Sequence, residues 1–450
     1  MNSTALLWLM VFLGLSLASL RRPIYAGLGH LMVFYASPVF WWFGGGLLTS
    51  LTMRWSLVAA LILVVANFMT WADRPQFATS DRKFFWTLLA ISVNAFFVNS
   101  FLANYPPESA QVFDILWKGC LATGLLYLTI RSQQDLELLL FGMVAGCGFV
   151  GYQVVLAGQG AMEGGRLEGI QFPGAQGSNG TAAVLSMGLV LAGYFVIAMR
   201  DRRFGIASLV FAPLILESIL RCNSRGAYLG LITAGVTIVF MSRGKTRKRA
   251  ITLCVLGMVA MLLLANDQNI WSRFGSIFAD AEERDNSAAE RLDYWEAGIK
   301  MIADYPLGSG GEATFTSPRG LEYIAHFNPN FRSVHNGPLD IAGGWGIQGL
   351  ALLMSILAFA CFSAWHTSKR YLVSGNETHA FLGSVLISVM VGQLVTCMFT
   401  SVLDGEWFLW LAACCLAYTR LHIASVDAST ILQTEMSDLD PQDVEPSIVQ

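Results

Sequence analysis

About thirteen apolar runs dominate this chain, and many of them approach or exceed the length a helix needs to cross a bilayer. The candidate spans are roughly 4–20, 24–43, 52–72, 84–103, 112–130, 136–157, 181–200, 204–220, 227–242, 250–266, 337–364, 380–401 and 406–421. The run 24–43 is interrupted by Pro38, and several others are short for a full crossing. The runs do not alternate between polar and apolar, which argues against a membrane β-barrel. Charged residues make up 13% of the chain, about half the share in an ordinary soluble domain. Length alone would suggest two or three soluble domains; the apolar runs overrule it. The expected fold is an all-α polytopic membrane bundle of about 12–13 transmembrane helices.

The net charge of −3 points to no partner, but the placement of the basic residues orients the bundle. "RGKTRKR" (Arg243 to Arg249) is the strongest cytoplasmic anchor. "RDRR" (Arg200 to Arg203), "DRK" (Asp81 to Lys83), Arg21 with Arg22, and "SKR" (Ser368 to Arg370) fall on the same side if the spans are right. The first run lacks a basic segment before it, so it is expected to be retained as a helix rather than cleaved as a signal peptide. An odd span count puts the N-terminus outside and the acidic segment 426–450 inside, as a disordered tail. Residues 1–425 are then the membrane domain. Of eight cysteines, seven lie in apolar runs and Cys222 at a turn, with no metal-ligand spacing.

Four segments remain for the outer face: one near Asn104, a loop at 158–180, the turn "RCNSRG" (Arg221 to Gly226), and a long connection at 266–336. The last contains a helix signal. Ser287 and Glu290 form a capping box before an apolar stripe of Ala288, Leu292, Trp295, Ile299 and Ile302. Pro306 and the glycines after it end that helix near Tyr305. Such an amphipathic helix would lie on the membrane surface or pack on the bundle.

Arginines accumulate on this face against the positive-inside bias: Arg166, Arg221, Arg225, Arg291, Arg319 and Arg332. Guanidinium groups suit phosphate oxygens, so several converging would hold a pyrophosphate headgroup. For each, a salt bridge or a solvated charge is the bland alternative. His335 can take a proton near neutral pH, and Asn336 can orient it or bind a hydroxyl. His326 competes with it. Lys118 and Glu217 fall in spans and are expected either to pair structurally, Lys118 also with Asp114, or to mark function. The acidic run at 280–285 has no spacing that suggests a fixed ion site.

Three pieces resemble signature segments of the O-antigen ligase and polymerase superfamily: "SRGAYLGLITAG" (Ser224 to Gly235), "ERLDYWEAGIKMIADYPLGSGG" (Glu290 to Gly311) and "HNGPLDIAGGWGIQGL" (His335 to Leu350). "RLEGIQFPGAQGSNGTAA" (Arg166 to Ala183) resembles a fourth, in which an arginine precedes an asparagine, here Asn179, at the next helix start. "LRRPIYAGLGHLMVFYASP" (Leu20 to Pro38) is similar to the N-terminal part of O-glycosylation ligases associated with exosortase systems. The resemblance implies a helical fold of the GT-C type with a long periplasmic loop. It implies transfer of a glycan from an undecaprenyl-pyrophosphate carrier to a lipid, glycan or protein acceptor, at the outer face of a bacterial inner membrane. It implies His335 as catalytic base with Arg225 and Arg291 on the pyrophosphate, and neither metal nor nucleotide. Arg166, Asn179, Arg221, Trp295 and Asn336 complete the candidate substrate-binding set. Asp340 and the run "GGWG" depart from the superfamily's usual pattern. A polymerase of the same superfamily shares the donor chemistry. A transporter or flippase would place charged or broken helices in paired halves, which this sequence lacks; no nucleic-acid partner is expected.

Overall fold

The computed structural model describes residues 3–44, 54–74, 77–173, 175–198, 201–264, 286–311 and 315–438. Among these are fifteen α-helices. In chain order they are α1 (Ser3–Ser19), α2 (Ile24–Tyr35), α3 (Trp55–Met69), α4 (Thr79–Phe101), α5 (Pro106–Thr129), α6 (Gln133–Val155), α7 (Gly177–Ala198) and α8 (Arg202–Cys222). There follow α9 (Arg225–Met241), α10 (Gly244–Leu264), α11 (Asn286–Asp304), α12 (Pro318–Glu322), α13 (Gly337–Val373), α14 (Glu377–Cys397) and α15 (Glu406–Asp438). Two short hairpins, Ala161–Glu163 with Arg166–Glu168 and Gln171–Phe172 with Ala175–Gln176, occupy the loop before α7. The fold is therefore an all-α, multi-pass membrane bundle.

Every expected span coincides with a helix. Among the described residues eight helices are long and apolar enough to cross a membrane, and α1, α2, α3 and α9 are shorter apolar helices. α2 stops at Tyr35, ahead of Pro38, where a residue before proline leaves the helical region. The bundle centres on α14 and α7, whose apolar windows are 83% and 72% buried, against 28% for α4 on the rim. α9 meets α14 through small residues: a Cβ on Gly230 would lie 2.6 Å from the Gly392 carbonyl oxygen. Close backbone approach of this kind is how membrane helices associate without a hydrophobic drive.

One end of the bundle is stapled by polar side chains. Arg22 pairs with Asp135 at 2.7 Å, Arg131 donates to the Thr70 carbonyl at 2.7 Å, and Arg249 donates to the Ile197 carbonyl at 3.0 Å. Tyr127 donates to the buried Asp81 carboxylate. The basic loops read as cytoplasmic anchors thus converge on one end. Lys118 is not buried: it pairs with Asp114 on α5, and both are about half exposed. Glu217 pairs with Arg221 at 2.9 Å, one turn along α8. Both intramembrane charges are satisfied within their own helices.

The segment beyond Val426 continues as helix to Asp438 rather than starting as a disordered tail. Its residues lack Gly and Pro until Pro441, so nothing in them stops a helix; residues 439–450 lie outside the described residues. The acidic run at 280–285 also lies outside them.

Candidate active site at the mouth of the bundle

α13 begins where the outer connection returns to the bundle. Asn336 caps it, its side-chain oxygen accepting from Leu339 N–H at 3.1 Å while its amide donates to the Met398 carbonyl at 3.4 Å. Pro338 in the first turn suits a helix start. Asn336 is buried, and both ends of its amide are engaged by the protein. An Asn336→Ala substitution is expected to cost about 1 kcal/mol through the lost cap, read as a fall in thermal stability. A residue whose main task was substrate contact would instead lose affinity and leave the melting temperature in place.

His335 precedes this cap with φ 51°, in the left-handed region. Few non-glycine residues adopt it, and such outliers concentrate at functional sites. The turn is held from both sides: His335 N–H donates to Ser333 Oγ at 3.3 Å, and Ser333 Oγ donates to Ser401 Oγ at 2.7 Å. Burial, then the charges of Arg291, Arg332 and Arg166, push the His335 imidazole down to about 4. The histidine is therefore neutral at pH 7, with a lone pair able to accept a proton, in a field of three guanidinium groups, one from the first hairpin and two from the outer connection.

The segment just past α14 gathers the other pieces. Gly226, beside Arg225 at the start of α9, would place a Cβ 3.0 Å from Phe399 Cβ. The Trp295 ring, one turn along α11 from Arg291, lies 6.5 Å from the Phe399 ring. Met398 and Ser401 hold Asn336 and Ser333. Residues 398–401 thus join α9, α11 and the irregular segment leading into α13. Sequence reasoning passed over "MFTS" because nothing in its composition distinguishes it from a turn; its role exists only in the packing.

Arg166 reaches the site from the first hairpin, in register with Glu163. The hairpin is tied to the α8–α9 turn by Asn223, itself left-handed at φ 49°, which donates to the Gly165 carbonyl at 3.4 Å. Glu168 accepts from Ser178 N–H at 3.2 Å, placing a carboxylate at the N-terminus of α7 as the helix dipole favours. Asn179 lies half-buried in that same first turn. Of the predicted residues, Arg166, Arg291 and His335 come together electrostatically, Trp295 lies against Phe399, and Arg225 stands at the start of α9 next to Gly226, which packs on Phe399. Arg221 is engaged by Glu217. Arg319 donates to Asn104 at 2.8 Å. The charge of Arg332 lowers the His335 pKa.

The outer connection carries its own small core of Tyr294, Ala297, Met301, Phe315, Ile324 and Val334. Of the predicted stripe on α11, Leu292 and Ile299 are 58% and 59% exposed, and it is Tyr294, Ala297 and Met301 that face this core. Ala288 and Ser287 have side chains outside the described residues. α11 ends at Asp304 as predicted. The glycines that follow then clamp α13. That helix is broken at Gly346, with φ 82° and ψ 167°. The freed carbonyls of Gly343 and Gly344 accept from Ser309 and Gly310 N–H groups at 3.0 Å, and Ile347 N–H donates to the Pro306 carbonyl at 3.0 Å. A broken helix is tolerated inside a bundle because such partners satisfy its backbone. The run "GGWG" is this break.

A family model described as O-antigen ligase matches residues 214–354, which include Arg225, Arg291, His335 and the break at Gly346. A model of a family of unknown function (DUF5935) matches residues 3–172. No curated protein matches the chain.

Proposed function

From this chain's membership of the O-antigen ligase superfamily, carried by residues 214–354, we propose that it is a membrane glycosyltransferase acting on a lipid-linked glycan. The donor is a glycan on undecaprenyl pyrophosphate, and the acceptor a hydroxyl on a lipid, glycan or protein, at the periplasmic face of a bacterial inner membrane. The single observation that supports this most is the neutral His335 surrounded by Arg291, Arg332 and Arg166.

In the proposed step, His335 accepts the proton of the acceptor hydroxyl as its oxygen attacks the anomeric carbon from the face opposite the leaving group. The bond to the pyrophosphate breaks, and the arginines take up the charge that develops on the departing oxygen. Inversion at the anomeric carbon follows from the single displacement. Arg291 and Arg166 hold the pyrophosphate from the His335 side and Arg225 from the α9 side.

The test is transfer by the purified protein from a prenyl-pyrophosphate glycan to candidate acceptors. One added glycan per acceptor marks a ligase; a ladder of lengthening lipid-linked chains marks a polymerase of the same superfamily. Movement of intact donor across the membrane with no bond cleaved would overturn both in favour of a transporter.

The charges also make a pH prediction. Replacing Arg291 by Gln removes one cation that lowers the His335 pKa, so the acidic limb of kcat/KM is expected to move to higher pH. An unmoved limb would detach Arg291 from His335.

A further inference from the structure

Helix α11 has two faces of opposite fate. Tyr294, Ala297 and Met301 are buried in the core of the outer connection. On the opposite face Leu292 and Ile299, two turns apart, are more than half exposed, and Leu307 just beyond the helix is 55% exposed. Exposed large apolar residues in line on an otherwise charged helix call for a cover.

Two independent markers give the depth of this helix. α14 has 21 residues, ~31 Å at ~1.5 Å per residue, which matches the ~30 Å hydrocarbon core. Its last residue, Cys397, therefore stands at the edge of the core, and Phe399, beside Trp295, lies two residues beyond. The second marker is the break in α13. The stretch from Ile347 to His366 is about 20 residues, again ~30 Å, and Lys369 and Arg370 follow it at the opposite end. Ile347 is thus at the same edge, it is 53% exposed, and it holds Pro306 next to Leu307. Trp295 and Leu307 are both held at the edge of the core although twelve residues of chain separate them. The middle of α11 and the turn just past its C-terminus thus sit at one depth, so this half of the helix lies along the surface.

We infer that α11 lies in the plane of the membrane, with Leu292 and Ile299 turned into the lipid of the leaflet on the site side, which holds Arg291 at headgroup depth. The occupant of the exposed face is lipid, because the face is continuous with lipid-facing Leu307 and Ile347 at the same edge. The Glu296–Lys300 pair, at 2.8 Å and about two thirds exposed, borders the stripe on the water side, as on other interfacial helices. This placement rests on packing and depth, and stands apart from the reaction proposed above.

The test uses the full chain in vesicles of phosphatidylethanolamine and phosphatidylglycerol, with the photoreactive residue p-benzoylphenylalanine placed singly at position 292, 299, 293 or 300. Positions 292 and 299 are expected to give lipid adducts at least tenfold above positions 293 and 300. Equal yields at all four positions, or absence of lipid adducts at 292 and 299, would overturn the inference. So would crosslinked pairs of this chain as the main product at 292 and 299, since a second copy would then cover the face.

Discussion

Replacing His335 by asparagine is expected to lower glycan transfer about 10²–10⁴-fold, the usual contribution of a positioned general base, while donor binding and thermal stability stay near wild-type. Asparagine is the suitable substitution because the backbone at this position is left-handed, with φ 51°, and Asn tolerates that conformation better than most residues. The hydrogen bonds that hold the turn come from the backbone and from Ser333 and Ser401, so they survive the change. Burial and the arginine charges hold the imidazole at about 4; the free enzyme therefore keeps its base unprotonated down to that pH. An anionic pyrophosphate entering the site offsets the guanidinium charges, which raises the basicity of His335 once the donor is bound. The acidic limb of kcat/KM is thus expected near pH 4 and that of kcat at higher pH, since the first reports the free enzyme and the second the complex. Undiminished transfer by His335→Asn would remove His335 as the base.

The second large effect is structural. Gly308 has φ 96°, and a Cβ there would lie 2.6 Å from both the Gly344 carbonyl oxygen and the Gly346 nitrogen. Gly308→Ala combines a backbone strain of about 1–2 kcal/mol with overpacking against atoms that cannot rotate away. Together these should destabilise the protein by ~2–4 kcal/mol and disrupt the clamp on the broken helix. Gly257→Ala is the matched control, because a Cβ at Gly257 meets nothing within 4 Å; on an exposed helix that change is neutral or slightly stabilising. Thermal unfolding of the two variants in detergent separates them. Equal midpoints would show that the clamp contributes little to the fold.

The helices were legible because apolar composition and length decide membrane spans almost alone. His335 was legible because it is a titratable residue at a helix mouth; Asn336 reads from sequence as a partner of His335 or of a hydroxyl, and its role as the cap of α13 emerges only from the hydrogen bond it accepts from Leu339. Leu292 and Ile299 show where periodicity runs out. Both they and Tyr294 with Met301 are apolar at helical spacing, and sequence cannot say which set faces the protein core when a second apolar phase faces elsewhere. The break at Gly346 was invisible for a related reason. A glycine run in an apolar helix is compatible with close packing as well as with interruption, and only the donors of Ser309, Gly310 and Ile347 distinguish the two. The effect of Arg332 on His335 is not legible in the sequence, because it depends on a loop fold that no local pattern encodes.

The central claim is that Arg225, Arg291 and His335 serve one pyrophosphate. The most direct measurement is a structure of the protein in lipid nanodiscs with a polyprenyl pyrophosphate bound. The account predicts the pyrophosphate at the mouth of α9, α11 and α13, with oxygens on Arg225 and Arg291 and the anomeric position within reach of His335. A pyrophosphate held elsewhere, with His335 facing only protein, would contradict it.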